Sequence, residues 1–89
     1  MCTMIAKKVQ IVGSGKSRDR WFPIAQTYVS FDHPFHLQRE HALNLDFVNE
    51  ELGTGARVAV ELTPEDAREL ATTILRLLDE GAEVEAGQQ

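Results

Sequence analysis

All three histidines of the chain fall within nine residues, in the run Asp32-His33-Pro34-Phe35-His36-Leu37-Gln38-Arg39-Glu40-His41, with the carboxylates of Asp32 and Glu40 beside them. Imidazole and carboxylate are the usual borderline ligands of transition metals and the usual proton carriers near neutral pH. The spacing His33-x-x-His36 followed by His41 matches no zinc finger, has no cysteine partners, and is not the His-Glu-x-x-His helix motif. Pro34 lacks a backbone donor and biases His33 toward extended geometry, so these side chains belong to a loop and the start of the next strand. Such a loop can bring His33, His36 and His41, or two of them with Glu40 or Asp32, onto one divalent transition metal: Zn, Cu or Fe. Glu40, Asp32 or Asp46 would then supply a further ligand or a base, which makes Glu40 and Asp46 the candidate catalytic carboxylates. Two other readings stand beside the metal site. One is a metal-free acid/base pair of His33 or His41 with Asp46; the other is purely structural, with His33 and His41 tying the loop together and His36 exposed.

The elements that must hold this segment are four strands and a helix. Strands are expected near Met4–Val12, Gln26–Asp32, His41–Val48 and Arg57–Leu62, with turns at Gly13-Ser14-Gly15 and Gly53-Thr54-Gly55. The short links favour an antiparallel meander. A helix begins after Thr63, a good N-cap, with Pro64 at the first helical position and Glu65 and Asp66 where the helix dipole favours negative charge. Ala67, Leu70, Ala71, Ile74, Leu77 and Leu78 recur at helical spacing, and Gly81 is the expected stop. The fold class is therefore α+β: a four-stranded antiparallel sheet with one C-terminal helix packed on one face. Residues 1–81 form a single domain, and 82–89 a flexible acidic tail.

Period-two alternation places Ile5, Val9, Ile11, Val29, Phe31, Leu43, Leu45, Phe47, Val58, Val60 and Leu62 on the face that meets the helix. Leu45 is expected to pack against Leu77. The opposite face collects Lys8, Gln10, Gln26, Tyr28, Ser30, Asp32, Asn44, Asp46, Arg57 and Glu61, too polar for a second helix. That face is either solvated, as antiparallel sheets commonly are, or the floor of a polar pocket or an interface. In the pocket reading Tyr28, Asn44 and Trp21 line a site for a small polar ligand, and the protein is a non-enzymatic module binding that ligand or a partner protein.

Gly13-Ser14-Gly15-Lys16-Ser17 invites a phosphate-loop reading, which fails because the motif needs a glycine at position 10, where Gln10 stands, and a helix after it. Lys16, Arg18 and Arg20 can still attract a small anion or an acidic partner, and Trp21-Phe22 either walls a pocket or plugs this loop onto the core. Cys2 is the only cysteine, so no intramolecular disulfide forms and a reducing compartment fits. Were Met1 removed, the amine and thiol at position 2 could chelate a metal or act as a nucleophile; otherwise Cys2 is a small residue on a terminus.

A chain of 89 residues with 43% hydrophobic content builds one domain with a modest core, and such domains often pair with a second copy, so a homodimer is expected. The net charge of -5 opposes a nucleic-acid backbone. No apolar run approaches the roughly 18–20 residues that cross a bilayer, and the opening residues lack the basic-then-apolar order of a signal peptide. No nucleic-acid or membrane partner and a cytoplasmic setting are expected.

The opening Met1-Cys2-Thr3-Met4-Ile5-Ala6, the Trp21-Phe22-Pro23 step, Phe31-Asp32-His33-Pro34…His36, and Glu40-His41-Ala42-Leu43…Asp46-Phe47-Val48-Asn49 resemble a family of small, uncharacterised actinobacterial proteins. The resemblance spans nearly the whole chain, ending near the helix. It implies an intact domain in a bacterial cytoplasm and brings no reaction, cofactor or catalytic residue.

Overall fold

The computed structural model describes residues 5–87; Cys2 and the first residue of the expected opening strand lie outside them. Four antiparallel strands, β1 (Ile5–Ser17), β2 (Arg20–Asp32), β3 (Ala42–Val48) and β4 (Arg57–Leu62), lie in the order β1-β2-β3-β4, followed by helix α1 (Pro64–Gly87). The expected α+β meander is the fold. Among the described residues no helix is long and apolar enough to cross a membrane.

The register confirms the division of faces. Phe31 pairs with Leu43 and Leu43 with Leu62; Val29 pairs with Leu45 and Leu45 with Val60, so the apolar residues form rows across one face. Tyr28, Asp46 and Ala59 form a row on the other, as do Ser30, Asn44 and Glu61. Thr63 caps α1 as expected, its carbonyl accepting from Ala67 N at 2.8 Å and its hydroxyl from Asp66 N at 3.3 Å.

Three features differ from the expectation. β1 and β2 run on well past Gly13 to a two-residue turn at Arg18-Asp19, where Arg18 takes a left-handed φ of 59°. The glycines do not make this turn. A Cβ on Gly15 would stand 2.9 Å from Ile24 Cδ1 and 3.5 Å from the Phe22 ring, so Gly15 gives room for two larger side chains of the facing strand. A bulge sits where Ile11 and Val12 together oppose Ala25, between the Gln10–Gln26 and Gly13–Ile24 pairs.

The helix also passes through Gly81 and continues to Gly87. A glycine inside a helix costs only about 1 kcal/mol relative to alanine, and Ala82, Glu83, Glu85 and Ala86 favour helix, so nothing after Gly81 forces a stop. The third difference concerns packing. The helix residues that share a groove with the sheet run from Pro64 to Leu75, the first half of α1. Leu77, expected against Leu45, is 62% exposed, and Ile74 and Leu75 line the groove beside Leu45 instead.

Phe22 is the one large hydrophobic side chain buried among the described residues, while its neighbour Trp21 is 67% exposed. The two readings of this dipeptide divide between them: Phe22 is the plug and Trp21 is a wall. Phe22→Ala should lower the unfolding free energy by about 3 kcal/mol. Trp21→Ala should change it by about 0.5 kcal/mol or less. Denaturant titrations followed by circular dichroism check both, and equal losses would mean that Trp21 is also a packing residue.

Candidate functional site

The histidine segment is a loop organised by backbone amides and one distant carboxylate. Asp32 Oδ1 accepts from His33 N at 2.7 Å, starting the turn, and His33 Nδ1–H donates to the Glu40 carbonyl at 3.1 Å, closing it. Pro34 is buried beneath. Glu61, on the polar face of β4, accepts from three successive N–H groups: Phe35 at 2.6 Å, His36 at 3.1 and 3.2 Å, and Leu37 at 3.0 Å. Consecutive amides converging on an anion form a nest, here filled by the protein's own side chain. Arg39 clamps the other end of the loop to the start of α1 with two bonds to Glu65, at 2.8 and 2.7 Å.

The three imidazoles go to different tasks. His33 staples the loop, His36 is exposed with its backbone committed to Glu61, and His41 stacks on Phe31 with ring centroids 5.0 Å apart and planes 6° from parallel. Among the described residues no three His, Cys, Asp or Glu side chains are placed to hold one metal ion. Glu40 contributes its carbonyl to the loop, and its side chain is exposed. Asp46 makes a bidentate pair with Arg57, at 2.7 and 3.0 Å, which raises the guanidinium pKa above its ordinary value through the hydrogen bond and then the charge.

Tyr28 and Asn44 share the polar face with Asp46 but have different surroundings. Tyr28 Oη donates to Glu50 at 2.9 Å, and Lys8 Nζ lies 3.6 Å from the same carboxylate and 5.6 Å from the Tyr28 ring centroid. Asn44, between Ser30 and Glu61 in register, has its Oδ1 buried without a hydrogen-bond partner. Asn49 ties the β3–β4 link to β2, its Nδ2 donating to the Pro23 carbonyl at 2.9 Å and its Oδ1 accepting from Glu51 N at 3.2 Å.

That link forms one side of a cleft of about 860 Å³, whose walls include Arg18, Arg20, Trp21, Phe22, Thr54 and Arg57. A shallower depression of about 430 Å³, with Tyr28, Asp46 and Glu50, joins it along Thr54, Ala56 and Arg57. Of the expected ligand-binding residues, Trp21 and Tyr28 therefore sit in one continuous two-part cleft; Asn44 lines neither part. Arg18 and Arg20 were legible as anion-attracting residues. Glu61 was not legible as the anchor of the histidine loop, because its partners lie 24 to 26 positions away and their amides carry no side-chain signal. Thr54 was legible only as part of a turn; its place on the cleft depends on the β1–β2 hairpin end that faces it.

A small α+β domain with an exposed, internally hydrogen-bonded histidine loop and a two-part cleft beside its β3–β4 link is the class of protein that these features define. The chain belongs to the family of unknown function DUF6295, whose model matches residues 1–88. Comparison with curated proteins and with solved structures finds no match.

The Glu61 nest has a pH signature. The bond from Leu37 N, then those from Phe35 and His36 and the nearby His36 charge, hold the Glu61 carboxyl below the ordinary glutamate value. A depressed carboxyl pKa means that the docked loop is fully stabilised above the ordinary value and loses that stabilisation as pH falls through the lowered one. In an NMR titration the amides of Phe35, His36 and Leu37 should move together, with a shared midpoint below the ordinary glutamate range, and Glu61→Gln should abolish the titration. Separate midpoints for the three amides would show that Glu61 does not hold them jointly.

Proposed function

We propose that this protein is a small cytoplasmic binding module, acting as a homodimer, that takes a small polar anion with a flat portion in the cleft around Trp21. The carrying observation is an indole left 67% exposed on the wall of a cleft that also holds Arg18, Arg20 and Arg57. Pockets for small molecules combine an apolar or aromatic wall with a few placed polar groups. An exposed indole offers a stacking surface, and guanidinium groups bind carboxylate or phosphate through paired N–H donors. Arg18 and Arg20 stand here against one lining carboxylate, Asp19, while Arg57 is paired with Asp46, so the cleft carries a small local excess of positive charge against the -5 of the whole chain.

The pairing of the polar side chains supports binding rather than proton transfer. Asp46 is held by Arg57, and Glu50 by Tyr28 and Lys8. An acid/base role for Asp46 would require the bidentate pair to open. A transition metal could take His33 through Nε2 with the Glu40 bond intact, but it would require His33, His36 and His41 to be drawn together, since no three such side chains are placed to hold one ion among the described residues.

Trp21 is the only tryptophan, so its emission reports on the cleft alone. Titration with inorganic phosphate, citrate and a nucleoside monophosphate should shift or quench that emission for at least the flat anion. The affinity should fall about tenfold or more in Arg18→Ala or Arg20→Ala, the loss of one charge-assisted contact of about 1.5–3 kcal/mol. No response to any of these anions, or equal affinity in both variants, would defeat the proposal. Metal analysis of untagged protein tests the histidine alternative: near one ion per chain, lost in the His33→Ala/His36→Ala double variant, would favour it instead.

A further inference from the structure

The described residues contain no large side chain that is fully buried. Ala42 is completely enclosed, but Leu70, Ile74, Leu75, Leu77 and Leu78 of α1 are between 45% and 64% exposed, and Phe31 beneath them is 37% exposed. Successive residues of a helix advance by about 100°, so the apolar positions of α1, from Ala67 to Val84, cover about half of its circumference. A helix lying on one sheet needs a stripe little wider than 100°. The surplus faces away from its own sheet.

Area gives the size of what is missing. A compact folded chain of this mass, 10.0 kDa, exposes roughly 5,200 Å². This one exposes 7416 Å². Its radius of gyration is 15.5 Å against the roughly 12 Å of a compact domain of 89 residues. The excess is on the order of 2,000 Å² for one chain. Doubled for two copies, it falls inside the approximately 2,000–5,000 Å² that obligate homodimers bury, far above the contact of a transient partner.

We infer that two copies of this chain meet through the apolar half of α1, each helix closing the groove between the other's α1 and sheet. The inference deepens the homodimer of the proposed function by naming its surface. The groove, about 600 Å³, is lined by Val29, Phe31, Leu43 and Leu62 of the sheet and by Leu70 and Ile74 of the helix. A second copy is the occupant because the deficit lies in the core itself: the partner must be present whenever the chain is folded, and another copy is always made with it. Charge agrees. α1 carries the carboxylates of Glu65, Asp66, Glu69, Asp79, Glu80, Glu83 and Glu85 against Arg68 and Arg76, whereas Lys7 stands on the apolar face of the edge strand β1, paired in register with Val29. A second copy brings such cations to an acidic helix.

The test uses the full chain without added partners. Native mass and light scattering should give two chains per particle, and the melting temperature should rise with protein concentration. Methyl NOEs between labelled and unlabelled copies should connect Leu70, Ile74, Leu77 and Leu78 to the partner. Leu77→Glu decides most sharply. The side chain is exposed in one chain alone, so the substitution leaves a true monomer's stability unchanged, but it should weaken the dimer at least a hundredfold. If that variant fails to fold, the concentration dependence and the NOEs of the parent still decide. A single-chain mass with a concentration-independent melt overturns the inference, and points instead to an unlike protein or to an uncovered helix. A dimer whose NOEs fall on the β1 or β4 edge overturns this surface and leaves the homodimer standing. The Trp21 cleft shares no lining residue with this groove, so its anion titration succeeds or fails independently.

Discussion

A four-stranded meander has two faces, and the described residues supply one α-helix with which to cover them. That shortage shapes everything else. The face toward α1 can be apolar, though the helix overlies it only over its first part. The other face has no element to bury it and must satisfy itself with polar pairs and with the links between strands. Glu61 pulling the β2–β3 loop down by three amides, Asp46 gripping Arg57, and Asn49 fastening the β3–β4 link to Pro23 are answers to the same constraint. Exposed contacts of this kind stabilise little, and their common effect is to fix where the links lie rather than to hold the fold together.

The links then decide what the polar face can do. One lies over the end of the sheet bearing Ser30, Asn44 and Glu61, and in it the His33 and His41 rings make contacts within the protein while the His36 ring is exposed. The other stops short, leaving Trp21, Thr54 and Arg57 around open space next to Arg18 and Arg20. The part of the sequence richest in reactive side chains is thus the part most occupied with its own conformation. The more open surface belongs to the hairpin end, whose residues read at first as a connection.

What was legible in the sequence was local. Alternation of Val29, Phe31, Leu43, Leu45, Val58, Val60 and Leu62 gave the apolar face because side-chain direction in a strand follows residue parity and nothing else. Thr63 and Pro64 marked the helix start because capping involves only the first turn. Gly13, Gly15 and Gly81 misled for one reason: a glycine permits a turn or a stop but does not require one, and at Gly15 it answers to Phe22 and Ile24 on another strand. The histidine segment was found and its loop character foreseen, yet the direction of each ring depends on Glu61 and Phe31, partners that residue spacing within the segment cannot reveal. How much of α1 lies beside the sheet was equally hidden, since it depends on the direction in which the helix leaves β4.

The bulge at Ile11-Val12 has a consequence for the molecule in a crowded cell. β1 is a 13-residue strand at the margin of the sheet, and a long, flat, unpaired margin is a template on which further chains can polymerise as β-structure. Two residues opposing one at Ala25 bend the strand and interrupt its hydrogen-bonding rhythm, and Lys7 and Lys8 place charge just before the break. A foreign strand could follow the margin only from Ile5 to Gln10 before losing step. The irregularity therefore works as a fuse against fibrillation, and it leaves the folded chain free to associate through side chains rather than through its backbone.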